Sequence, residues 1–256
     1  MDSRYVRKYL NTYNSLSKLH HPRPIHLVTD ATYFGERKKN TSWCSVVARD
    51  PYVKEDLVWQ FADTETTYAY SLVRDELEAL GYTILSVTGD GFPGIKAAFF
   101  NIPFQMCHVH MERLVVKGTT RNPQTEAGQV LLALTRTLYD TNSKTFNRRL
   151  DMYIEKYRDF LNEKTTNPLT DEQYWTHKEL RQALHRLLRH QRYLFTFEQN
   201  KNIPKTTNSL EGHFTHTKKM VGVHGGLSRP KKEKVLNTIF LASTTAPKVD
   251  KLDEIL

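Results

Sequence analysis

The chain has 256 residues, 39% hydrophobic and 11% aromatic, with 37 Lys+Arg against 28 Asp+Glu for a formal net charge of +9. That composition is globular rather than disordered, and the length admits one large domain or two ordinary ones. It excludes a membrane span, which needs roughly 18 or more uninterrupted apolar residues, and a secretory signal at MDSRYVRKYL. With only Cys44 and Cys107 it also excludes a disulfide framework, so a cytoplasmic location is expected.

Residues 1–22 place Tyr5, Val6, Tyr9 and Leu10 at helical spacing and end at His21-Pro22, which predicts a short helix and linker. The apolar run Ile25–Val28 that follows reads as a buried strand stopping at Asp30. Thr41–Ala48, rich in β-branched and aromatic residues, predicts a second strand, and Leu57–Asp63 a third. Short links between them suggest an antiparallel meander, with Arg37, Lys38 and Lys39 in a basic hairpin loop. From Thr66 to Leu80 the period changes: Tyr70, Val73, Leu77 and Leu80 share one helix face, and Gly81 is placed to end it. Thr83–Asp90 returns as a strand, GFPGIKAAFF carries a short helix, and Ile102–Cys107 is a fifth strand. The fold class is therefore α/β with a mixed sheet.

Beyond Met111 strand patterns stop for almost a hundred residues. Gln124–Asp140 reads as a helix. Across Ser143–Lys164, Phe146, Leu150, Tyr153, Ile154, Tyr157, Phe160 and Leu161 form one apolar stripe. Thr170 with Gln173 reads as a capping box for a third helix, with Leu180, Leu184, Leu187 and Leu188 on its inner face and Arg181, Arg186, Arg189 and Arg192 on a basic one. Residues 203–221 open another helix, and GVHGG breaks the chain. Ser228 then caps a last helix, with Pro230 in its first turn and Val235, Leu236, Ile239 and Phe240 buried. The expected domains are 1–22, a core of 23–112 with 204–243, an all-helical insertion at 113–203, and a tail at 244–256.

Asp30 and Asp90 end predicted strands in the parallel phrases HLVTDATYFG and LSVTGDGFPG, and strand ends are where open α/β sheets gather ligands. Two close carboxylates repel unless a cation sits between them, and their hard oxygens suit Mg²⁺ or Mn²⁺. Taken singly, each Asp also reads as a turn residue bonding its own backbone. Glu211 completes a third carboxylate, or simply a capping box begun at Asn208. Cys107 and His110 are too few for a closed zinc site, and a buried thiol beside a hydrogen-bonded His is the simpler alternative. His108, His110, Glu211, His213 and His216 could together form a zinc hydrolase site.

TDATYFG, TGDGFPGIKAAF, FQMCHVHMER, TTNSLEGHFTHTKK and HGGLSRPKKEK, in that order, resemble the signatures of Mutator-type insertion-sequence transposases. The resemblance runs from about Pro24 to about Leu241. It implies an RNase H-like catalytic domain with an all-α insertion before the helix bearing the last Glu. It also implies a DDE triad of Asp30, Asp90 and Glu211, 90 − 30 = 60 and 211 − 90 = 121 residues apart. Two Mg²⁺ or Mn²⁺ ions, a C-x₂-H element at Cys107 and His110, and cut-and-join chemistry on double-stranded DNA by a homo-oligomer follow from it too. Arg186, Arg189, Lys218, Lys219, Arg229, Lys231 and Lys232 are the expected DNA-backbone contacts. The family carries an N-terminal DNA-binding region, and only about two dozen residues precede the first strand here. A catalytically idle DNA-binding remnant is therefore the rival reading.

Overall fold

A computed structural model describes residues 17–36, 41–223 and 226–243. The basic loop expected at Arg37–Lys39, most of the N-terminal helix, part of the GVHGG break and the tail lie outside those residues. The fold is built on a mixed five-stranded sheet ordered β3-β2-β1-β4-β5: β1 Pro24–Phe34, β2 Trp43–Asp50, β3 Glu55–Ala62, β4 Thr83–Gly89 and β5 Phe104–Met106. The first three strands form the expected antiparallel meander. Between β3 and β4 lies α1, Thr67–Ala79, whose first turn is closed by the Thr66 hydroxyl accepting the Ala69 N–H. Gly81, at φ +88°, turns the chain out of the helix. The short α2, Pro93–Ala98, links β4 to β5.

The remaining α-helices among the described residues are α3 His108–Thr119, α4 Glu126–Arg136, α5 Ser143–Lys156, α6 Arg158–Asn162, α7 Lys178–His190, α8 Asn208–Gly222 and α9 Arg229–Ala242. They divide between two compact units. One takes the described residues up to Val87, Phe92–Ile102 and those from Thr207 onward; the other takes Thr88–Gly91 and Pro103–Thr206. In the first, α8 and α9 bury Leu210, Phe214, Val221, Leu236, Ile239 and Phe240 on one face of the meander, against Val28, Phe34, Trp43 and Val47. In the second, α3 packs closely on α7: a Cβ at Gly118 would stand 2.3 Å from the Glu179 carbonyl oxygen.

Three expectations are corrected. Strand β1 does not stop at Asp30 but continues to Phe34, because Ala31 to Phe34 pair with Val46 to Trp43 of β2 and satisfy their backbone groups there. The region after Met111 is not all-helical. A hairpin of β6, Lys164–Thr166, and β7, Gln173–Trp175, interrupts it, with β-branched and aromatic residues flanking a turn at Asn167-Pro168 and Asp171 at φ 55°. Gln173 therefore sits in a strand, and the Thr170–Gln173 capping box does not form; α7 starts later, at Lys178. Finally, Cys107 is not a strand end but the residue ahead of α3, a helix built on Met111 and Val115 with His108 in its first turn.

Candidate active site

In the first unit, Asp30 lies inside β1 at 8% exposure, and one carboxylate oxygen accepts the N–H of Ala31 at 2.8 Å. Its cross-strand partner is Val47, which belongs to the core beneath α8 and α9. Directly opposed residues of an antiparallel pair share a face. Asp30 therefore stands on the helix-covered face, between Val28 and Phe34 two residues to one side and four to the other. Buried apolar neighbours lower the local dielectric and raise the worth of any charge that meets this carboxylate.

Glu211 is in the same unit, half-buried in the first turn of α8. The residue ahead of the helix is Thr207, not Asn208 as the capping box requires, and the Thr207 side chain makes no capping bond. Leu210 beside it is fully buried against the same sheet face. The structure thus brings Asp30 and the helix carrying Glu211 to one side of one sheet.

That side also holds an ionic cluster that the sequence did not announce. A register shift at Ala48/Arg49 places Arg49 opposite Asp56 with Leu57 as the extra residue. A bulge of this kind re-aims a side chain, and here it turns Asp56 toward the helices. Asp56 is fully buried and pairs with the Arg49 guanidinium; its other carboxylate oxygen lies 2.7 Å from Nε2 of His213, a close contact without hydrogen-bond geometry. Its N–H donates to the hydroxyl of Ser243 at 2.8 Å.

In the second unit, Asp90 is half-buried in the bend after β4. The next residue must be glycine: Gly91 has φ +89°, and a Cβ there would meet Met106 Sδ at 2.6 Å. Cys107 is fully buried, and its N–H donates to the Gly89 carbonyl at 2.8 Å, tying the start of α3 to the end of β4. His110, one turn on, is half-buried with Nε2 3.5 Å from Arg113.

His108 is fully buried, with Nε2 2.7 Å from the Leu194 carbonyl, so the ring proton belongs on Nε2. Desolvation pushes its pKa down to about 4, with nearby Lys205 adding to the effect and the Leu194 hydrogen bond opposing it. A protonated Nδ1 would be a buried charge, and that atom has no partner among the described residues. Above the ordinary value of 6.5 both folded and unfolded chains keep this ring neutral; between 6.5 and about 4 only the unfolded chain takes up the proton. Stability is therefore expected to fall as pH drops through that window, by about 3 kcal/mol for this one group. Urea midpoints for the wild type and His108→Gln, measured between pH 7 and pH 4, should converge as the pH falls; parallel curves would refute it.

The expected basic contacts divide into two kinds. Lys218, Lys219 and Arg189 are exposed. Lys231 and Lys232 are half-buried along α9. Arg186 instead bonds the Leu114 carbonyl and Gln182, and Arg229 pairs with Asp63 and Glu233 over the Trp43 ring. Of the zinc-hydrolase set, His108 is engaged by the Leu194 carbonyl and His213 faces Asp56. Among the described residues no three His, Cys, Asp or Glu side chains form a ready metal cage. Carboxylates fit Mg²⁺ or Mn²⁺ in kind, and Mg²⁺ usually takes one or two of them and completes its shell with water and substrate phosphates. No helix among the described residues is long and apolar enough to cross a membrane.

Compared with known proteins, the chain matches the family model described as Transposase IS66 family over residues 26–215, well over half its length. The match supports a DDE transposase in general and does not single out the Mutator type. No curated protein matches the chain.

Proposed function

We propose that this chain, which belongs to the IS66 transposase family, cuts and joins DNA strands at a divalent-metal site formed by Asp30, Asp90 and Glu211 on an RNase H-like core. The family match across residues 26–215, which contains all three carboxylates, carries the reading. Two features of the strands support it. Asp30 and the helix of Glu211 share one sheet face, as derived above. In addition, His26 hydrogen-bonds Ser86 at 2.8 Å across 60 residues, and Asp30 and Asp90 lie four residues beyond each of them in sequence.

Two Mg²⁺ or Mn²⁺ ions held there would supply an activated water or 3′-hydroxyl and neutralise charge at the leaving oxygen. The protein's share is positioning: a rigid strand for Asp30, a glycine-enforced bend for Asp90 and a packed helix for Glu211. Cys107, whose backbone is tied to the end of β4, and His110 would shape the surroundings of the scissile phosphate. Exposed Lys218, Lys219 and Arg189 would hold the DNA backbone, in register with a second copy of the chain on paired element ends.

The test uses a supercoiled plasmid carrying the ends of the parent element. With Mg²⁺ the chain is expected to nick it and transfer the strand, and excess EDTA should remove both products. Nicking that persists in EDTA, or no nicking with either Mg²⁺ or Mn²⁺, would overturn the reading.

A further inference from the structure

We infer that the Asp56–His213 contact is a rotational latch on α8 that aims Glu211, which makes Asp56 and His213 positioning residues for the reaction. This rests on the reading of Glu211 as one of the three metal-holding carboxylates. Helix α8 presents Leu210, Phe214, Thr217 and Val221 to the sheet. At about 100° per residue, Glu211 and His213 then flank that stripe on opposite sides, each roughly 70–90° from its centre. His213 points to Asp56 on β3, the edge strand of the meander. Glu211 is thereby turned away from Asp56, on the other flank of a helix that packs against β1, the strand of Asp30.

Burial of the stripe alone does not fix this aim. Apolar attraction is non-directional, and a helix of radius roughly 5–6 Å that rolls by about 10° moves a side chain on its flank by about 1 Å. A misplacement of that size is enough to cost about a hundredfold in rate. Asp56 is suited to stop the roll. It sits on a strand rather than a loop, its carboxylate is pinned by Arg49, and its N–H is pinned by Ser243 just past α9. The His213 ring is also backed by Phe240 of α9, with centroids 5.9 Å apart.

The experiment measures single-turnover nicking and DNA affinity of the full chain on the same plasmid, for His213→Ala, His213→Gln, Val221→Ala and Glu211→Ala. Loss of the latch in His213→Ala should slow nicking about 10- to 100-fold at unchanged DNA affinity, the range seen when outer-shell partners of metal ligands are removed. His213→Gln, which keeps a polar side chain of similar reach facing Asp56, should recover most of that rate. Val221→Ala loosens the buried stripe of the same helix without touching the latch; it should lower the melting temperature but not the rate well below that temperature. Overturning results are a wild-type rate in His213→Ala, equal losses in His213→Ala and Val221→Ala, or no difference between the Ala and Gln variants. Glu211→Ala separates the levels: nicking that survives it sinks the proposed function. Nicking that dies with it but is untouched in His213→Ala sinks only the latch.

Discussion

Replacing Asp30 by Asn, or Asp90 by Ala, is expected to cut metal-dependent nicking and strand transfer at least about a thousandfold. A bound metal contributes several kcal/mol of charge stabilisation in the transition state, and each 1.36 kcal/mol is a factor of ten. The two variants should leave stability nearly intact, for different reasons. Asn at position 30 keeps an oxygen for the Ala31 N–H and the volume that packs between Val28 and Phe34, so melting should move by less than about 1 kcal/mol. Asp90 is half-buried in a bend whose conformation is set by Gly91, so truncating its side chain leaves the turn in place. Rates on the element-end plasmid at saturating Mg²⁺, with circular dichroism melts of the same samples, decide it. A folded Asp90→Ala variant that still nicks with Mg²⁺ would remove the triad. A collapsed melting temperature in Asp30→Asn would instead make that carboxylate structural.

How much of this was legible in the residues follows from which forces are local. The meander and α1 could be read because β-branched runs and a 3.6-residue apolar period act over a few residues. The end of β1 could not: Asp30 looks like a stop, and only pairing with β2, set by contacts distant in sequence, carries the strand on to Phe34. The β6–β7 hairpin hid among Thr, Asn, Pro and Asp, which read equally as a loop or a cap. Helix α3 hid behind the Cys107–His110 motif, although Met111 and Val115 already sit at helical spacing. At the site, the identities of the three carboxylates were readable as chemistry, whereas the helix-covered face on which Asp30 stands was not, because Ile25–Val28 reads as a continuous apolar run and only the pairing with β2 assigns its faces. The Asp56 cluster was not readable. It depends on one bulge that reverses strand parity at Leu57, and nothing local in EDLVWQFA marks that reversal.

The same cluster sets the largest stability effect expected here. Asp56→Ala should destabilise the fold by about 3–5 kcal/mol, because removing one partner of a buried pair strands the other charge in an apolar setting. Arg49 is the stranded group: it is 5% exposed, Asp56 is its ion-pair partner across the strands, and its Nε has no hydrogen-bond partner among the described residues. Taking both charges away is a different matter, since the desolvation cost of each vanishes with it. Arg49→Met combined with Asp56→Leu should recover most of the loss, bringing the double variant within about 1–2 kcal/mol of the wild type or above it. Urea unfolding of the two single variants and the double variant gives the cycle. If the pair acts as described, the single losses sum to far more than the double loss. Additive losses would mean that each side chain stabilises the fold independently and that β2 and β3 are not joined through this charge pair. Since the double variant also removes the acceptor facing His213, it should fold well yet nick slowly, separating the stability of this sheet face from the aim of the helix that covers it.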